Sequence, residues 1–522
     1  MLLFLDMLNY HGFGRHLCPS ERCVLYAQPI ANAICLSTII MSVSGRLARI
    51  LSVILLCWVA LYEGVDLFAR FALDLHISSD LILVLYGSSP KELTQFIGVC
   101  YGWKMMVLLM TLLPAFVVVV VFACKMSFPL RRMIALRVTL IIVCAACVYW
   151  MGTLGRPRGY LLCTSFFRNV LANVLVISDQ IDVAKHPDPN VEFRIARDTP
   201  PVGVIVIGES STRSHWGLYG YSRDTTPNIS SISNDLFVFS NLLGVHNNTQ
   251  PSLRKMLTLA TVEKPDRGRC SLPWVLMRAG YDVELVSSQA KWGRGENMTT
   301  MLFSCCPKRF YLADILPRGY YDESVLPYVD EVVARSLHGH ASMLFIHLQG
   351  SHAPFDEMYP AARCAFCPAY VDSVTKNMDE HKRRWVNSYD SSIHYTDYVL
   401  SQIICRLEKI ERPAFLLYVS DHGETPMRGL MRIESDPDLW ELPMFVWLSK
   451  SYRLAELDLV RKLNCARDRA LQLDQLFHGL LEMAFVVADD EAFDERLSFL
   501  SDEFKPRRRR MCVGINGVYQ EN

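Results

Sequence analysis

Neither sign of charge is in excess in this chain: Lys plus Arg and Asp plus Glu both number 53. There is no basic field of the kind that holds a polyanion, so no nucleic acid partner is expected. Internal repeats are absent, and the one biased tract is Arg507-Arg508-Arg509-Arg510, read as a solvated tail. The first 20 residues lack the marks of a signal peptide. Asp6 breaks a short apolar run and no small-residue cleavage site follows. Charge as a whole is sparse, at 20% of residues against 51% apolar, and the apolar excess sits in the first third of the 522 residues.

That excess falls into four runs, 24–43, 50–69, 105–124 and 133–151. A membrane-spanning helix needs about 17 to 25 such residues. The first run carries Gln28, Pro29 and Asn32 and also fits a buried core helix; the third contains five consecutive valines, Val117 to Val121. Arg46 and Arg49 separate the first two, and Lys125, Arg131, Arg132 and Arg137 lie between or just inside the last two. The positive-inside rule makes those loops cytoplasmic. The loop 70–104 and everything after 152 then fall on the periplasmic side of a bacterial inner membrane. The expected organisation is a transmembrane helical bundle over 1–152, a bridging helix and linker over 153–200, and a periplasmic catalytic domain over 201–522.

From residue 202 apolar β-branched runs alternate with helical stretches. Runs 202–207, 281–286, 342–347, 415–419 and 444–448 read as strands, and 251–261, 323–338, 388–410 and 471–484 as helices. That alternation predicts an α/β domain with a largely parallel sheet, whose ligands bind beyond the carboxyl ends of its strands. In an oxidising compartment some of the cysteines beyond Cys147 should pair. Cys364-Ala-Phe-Cys367 lacks a second pair at zinc-finger spacing and reads as a structural disulfide.

Three strand ends carry metal-binding side chains: Gly208-Glu209-Ser210, Ser420-Asp421-His422-Gly423-Glu424 and Gln349-Gly350-Ser351-His352. Singly, each could be an ordinary loop acid or surface histidine. Together, carboxylates and imidazole on separate strand tips are a zinc-type donor set able to converge on one point.

The stretch Val204-Ile205-Val206-Ile207-Gly208-Glu209-Ser210, with Leu218-Tyr219-Gly220-Tyr221-Ser222-Arg223-Asp224-Thr225-Thr226-Pro227 after it, resembles the opening motif of bacterial phosphoethanolamine transferases. His246-Asn247-Asn248-Thr249-Gln250-Pro251-Ser252-Leu253 resembles the segment holding that family's threonine nucleophile. Tyr389-Asp390 through Leu400 is similar to its long helix, and Ser420 to Glu424 to its metal motif. The resemblance implies a C-terminal domain of alkaline phosphatase/sulfatase type and zinc held by Glu209, Thr249, Asp421 and His422. It gives Thr249 the nucleophile's role, His352 a phosphate-binding or proton-donating one, and Gln289 a substrate contact. It also implies phosphatidylethanolamine as donor, lipopolysaccharide as acceptor and a membrane-lipid environment. Zinc would lower the threonine hydroxyl's pKa towards an alkoxide nucleophile.

The chain departs from the family where Thr425 to Glu441 contains no histidine, which puts a second metal in doubt. The resemblance implies one more span before residue 24, for which residues 1–12 are too short. Val245-His246-Asn247-Asn248-Thr249 lacks the Cys-Gly pair of the lipid A and Kdo enzymes and is nearest the branch acting on inner-core heptose. His478 reads as a packed histidine. Two other functions stand beside this reading. A membrane-anchored sulfatase or phosphoglycerol transferase shares the fold, but Thr249-Gln250-Pro251-Ser252 lacks the Cys or Ser and the Arg placement of a sulfatase nucleophile. A non-catalytic membrane scaffold should have lost metal ligands, and none is lost.

Overall fold

A computed structural model of the chain describes residues 191–522, except 266–269, 292–297, 318, 429–434, 489–494, 508, 515–517 and 521–522. The four apolar runs, the loop 70–104 and the bridge up to 190 lie outside the described residues. Among the described residues no helix is long and apolar enough to cross a membrane.

The centre is a seven-stranded sheet. In chain order its strands are β1 (Val202–Gly208), β2 (Leu236–Val238), β3 (Asp282–Ser287), β4 (Lys308–Tyr311), β5 (Ser342–His347), β6 (Ala414–Ser420) and β7 (Met444–Leu448). Their spatial order is β2-β7-β6-β1-β5-β3-β4. Strands β6, β1, β5, β3 and β4 are mutually parallel and β7 is antiparallel to both its neighbours. Every residue of β1, β5 and β6 is buried, the reason such strands read as unbroken apolar runs.

Side chains alternate between the sheet's two faces. Ile205, Ile207, Leu285, Phe345, Leu417 and Val419 join a core with helices α1 (Thr249–Met256), α2 (Leu272–Ala279), α5 (Leu457–Ala466) and α6 (Leu476–Met483). Val204, Val206, Leu344, Ile346, Leu416 and Tyr418 face α3 (Leu326–Ser336) and the 28-residue α4 (Glu380–Leu407). Burying one such side chain contributes about 1.5–3 kcal/mol, so two continuous layers hold the strand tips rigidly in line.

The structure differs from the sequence reading at identifiable points. Helix α4 begins at Glu380, well before 388, because Asp379 caps it by accepting from Lys382 N at 2.9 Å. Leu471–Gln472 is not helical; it pairs in parallel with Leu242–Leu243. No disulfide joins the described cysteines. The Cys364–Cys367 turn is closed instead by Ser391 Oγ, which bonds Phe366 N (3.0 Å) and O (3.1 Å), and by Asn387 Nδ2, which donates to Cys367 O at 3.0 Å and Tyr370 O at 2.9 Å. Cys305 and Cys306 Sγ lie 3.8 Å apart, beyond the ~2.05 Å of a bond. The arginine run is no free tail: Arg507 pairs with buried Asp474 at 2.8 Å and with Glu263 at 3.1 Å, and Arg510 is buried. Arg509 alone of the described three is exposed.

Candidate metal and nucleophile site

The register that pairs Gly208 with Ser420 makes Glu209 and Asp421 leave neighbouring strands side by side. Both are buried, with His422 beside them. One ligand atom from each of the three falls within 4.8 Å of the others. His422 Nε2 lies 3.2 Å from Glu209 Oε1 and 3.6 Å from Asp421 Oδ2. Its Nδ1 is 2.8 Å from Gly423 O; a carbonyl only accepts, so Nδ1 carries a proton and Nε2 is the ring atom turned to the carboxylates.

Thr249 opens α1 on the adjoining face. Its hydroxyl does not cap the helix, whose N-cap is Asn248. Thr249 Oγ1 instead donates to Glu209 Oε2 at 3.0 Å and lies 3.4 Å from His422 Nε2. Gln289, just past β3, donates from Nε2 to the same Glu209 oxygen at 3.0 Å and to Leu348 O at 3.3 Å. The structure thus brings together Glu209, Thr249, Gln289, Asp421 and His422. His352 is not hydrogen-bonded to this cluster: its Nδ1 donates to Ala353 O at 2.7 Å, and its effect on Glu209 is electrostatic.

The residues fit a cation. Asp421 Oδ2 is buried without a hydrogen-bond partner. Burial, and then the negative charge of Glu209, push the Asp421 carboxyl up to about 7. Burial also raises Glu209, but the hydrogen bond from His422 and nearby imidazoles outweigh it and hold Glu209 well below the ordinary carboxyl value. Two carboxylates buried this closely together call for a positive charge beside them. Two carboxylate oxygens, one imidazole and a hydroxyl form a four-donor set that suits zinc.

Other residues, missed in the sequence, hold the ligands in place. Ser210 adopts the left-handed conformation (φ 54°), which costs a non-glycine residue about 1–3 kcal/mol. Its backbone is pinned: Ser210 N donates to Asp421 Oδ1 at 3.2 Å, and Tyr389 OH of α4 donates to Ser210 O at 2.9 Å while accepting from Thr212 N at 2.9 Å. Buried Asp322 accepts from Gln349 N and Gly350 N, both at 2.9 Å. No local signal marks Asp322, whose partners lie 27 and 28 residues onward. His347 ends β5, buried with both ring nitrogens unpartnered; burial lowers its pKa to about 4, so it is neutral. Its place at a strand tip was a readable signal.

Gly350 sits in the left-handed region (φ 52°), and a Cβ there would fall 2.9 Å from both Glu209 N and O. Gly350→Ala is therefore expected to lower unfolding stability by about 1–3 kcal/mol. A urea midpoint equal to wild type would contradict the close approach.

The sulfatase family profile matches residues 201–484, more than half of the 522. The chain belongs to the sulfatase family. Within this family it is similar to phosphoethanolamine transferase EptC of Escherichia coli strain K12, 27% identical over 337 residues that take in 62% of this chain and 56% of that relative. The chain thus spans about half the length of the curated relatives it matches. The crystal structure of the periplasmic domain of E. coli EptC in complex with zinc superposes with a TM-score of 0.58 at 25% identity, covering 64% of this chain and 96% of that one. The integral membrane protein lipooligosaccharide phosphoethanolamine transferase A of Neisseria meningitidis, 16% identical, shares the fold with a TM-score of 0.63 over 95% of this chain and 97% of that one. The sulfatase-type α/β domain that the family resemblance implies is the one observed.

Proposed function

We propose that the chain transfers phosphoethanolamine from phosphatidylethanolamine to lipopolysaccharide, with core heptose favoured over lipid A as acceptor. The observation that carries this reading is the convergence of the Thr249 hydroxyl with Glu209, His422 and the unpartnered oxygen of Asp421. Similarity to a phosphoethanolamine transferase over 62% of the chain supports the group transferred. The apolar runs of the first 152 residues support an inner-membrane bundle, with 153–200 as bridge and 201–522 as periplasmic catalytic domain.

Glu209, Asp421, His422 and Thr249 Oγ1 would hold a zinc ion, which when bound makes a ligated hydroxyl more acidic. The Thr249 hydroxyl gives up its proton to Glu209 Oε2, to which it already donates at 3.0 Å, and its oxygen forms a bond to the donor phosphorus. Diacylglycerol leaves with a proton from His352. An acceptor hydroxyl then loses its proton to His352 and attacks the same phosphorus, and the Thr249 oxygen departs and takes its proton back from Glu209 Oε2. The two displacements let donor and acceptor occupy the site in turn. A histidine outside the ligand cluster suits this alternating proton transfer. Gln289, whose Nε2 donates to Glu209 Oε2 and Leu348 O, would contact the phosphate group by turning one of these N–H groups to a phosphate oxygen. Heptose rests on the loop Val245-His246-Asn247-Asn248 ahead of Thr249.

The test is fragment mass spectrometry of lipopolysaccharide from cells with and without the chain. A phosphoethanolamine added to core heptose is expected only with it. Addition to lipid A would reassign the acceptor, and no addition anywhere would remove the transferase reading.

A further inference from the structure

The sulfatase match ends at residue 484, yet a segment beyond it reaches the chain immediately before Thr249. Val513 N donates to Val245 O at 3.0 Å, and Val513 forms a parallel bridge with His246. Cys512, fully buried, directs Sγ to Gly244 O at 3.2 Å. Arg510 donates to Asn241 O (3.0 Å), Asn241 Oδ1 (2.7 Å) and Leu471 O (2.9 Å). Gln472 Nε2 ties Met511 O and Gly244 O together.

The other side of the same loop faces the metal motif. Gly244 N donates to Trp440 O at 2.7 Å, and Gly423 N, next to His422, donates to Leu439 O at 3.1 Å. Tyr519, from the strand Val518–Gln520 that pairs with Met511–Val513, stacks on Trp440 with centroids 5.9 Å apart. Residues 241–248 have only the two-residue strand Leu242–Leu243 as regular structure. Their path is thus set by what they bond on either side, and one side is the C-terminal segment.

We propose that Arg510, Cys512 and Val513 form a positioning strap that holds the Thr249 loop against the metal-binding strand ends. This rests on Thr249 as the transferring residue. The strap touches no reacting atom; it acts through the backbone of 241–246. A nucleophile misplaced by about 1 Å costs on the order of a hundredfold in rate, so loosening the strap should slow the chemical step more than it weakens donor binding.

The experiment uses the full chain in detergent with phosphatidylethanolamine as donor. Arg510→Ala removes the side-chain anchor. Val513→Pro removes the N–H given to Val245 and keeps the test decisive if Arg510→Ala fails to fold. Arg509→Ala takes away a neighbouring exposed arginine as control. Hydrogen exchange of the 242–256 peptide, melting temperature, kcat and KM are measured for each. The expected result is faster exchange confined to 242–256, kcat lower by tenfold or more and KM within twofold, with Arg509→Ala like wild type. Unchanged exchange over 242–256, or kcat within twofold of wild type, would overturn the strap. So would exchange raised across the whole domain, which would make the segment a general fold element. If wild type transfers nothing, the transferase reading fails by itself and the strap is decided by the exchange data.

Discussion

Thr249→Ala is expected to lower transfer by at least about a thousandfold, because its hydroxyl lies against both Glu209 Oε2 and His422 Nε2 and its loss removes the attacking oxygen. The fold should survive. Removing the hydroxyl deletes one hydrogen bond to Glu209, about 1 kcal/mol of net stability, and leaves the helix cap untouched because Asn248, not Thr249, is the N-cap. Wild-type protein incubated with phosphatidylethanolamine alone should gain the phosphoethanolamine mass on the peptide containing Thr249. Ser210 and Ser252 are the nearby alternatives. Ser210 Oγ donates to Glu209 Oε1 at 2.7 Å, and Ser252 Oγ is turned to His246 O at 3.1 Å. An adduct on either serine, or transfer by the alanine variant, would show that the nucleophile is misassigned.

Asp421→Asn should remove both zinc and activity. Substituting groups outside the ligand set typically costs 10–100-fold in metal affinity, so loss of a direct carboxylate ligand is expected to cost at least about a hundredfold. The asparagine keeps the volume and an oxygen for Ser210 N and His422 N, which both donate to Asp421 Oδ1, at 3.2 and 2.7 Å. The local backbone is therefore retained while the charge is lost. Elemental analysis of the purified variant reads the metal directly. Stoichiometric zinc in Asp421→Asn would overturn the ligand assignment even if activity were gone.

How much of this was legible in the sequence depended on range. Glu209, Asp421 and His422 stand just after apolar runs, and burial on both faces makes such runs conspicuous. Thr249 carries no comparable mark. Its hydroxyl reaches Glu209 across 40 residues, and only the family resemblance singled it out. Strands β2 and β4 were missed because one has three residues and the other, Lys-Arg-Phe-Tyr, is an edge strand without an apolar run. The arginine run was misread for a related reason. Four like charges in sequence say solvent, but the charge of Arg507 is met by Asp474 at a separation of 33 residues and Arg510 by carbonyls 269 and 39 residues away. His352 reads as part of the cluster by its motif, whereas its ring bonds its own neighbour's carbonyl.

The bond from Arg510 to Asn241 bridges 269 residues, and that separation has a consequence in time. A ribosome completes Glu209, Thr249, Asp421 and His422 before it reaches Arg510. The loop before Thr249 can therefore take up these bonds only after residues 510–513 have been delivered.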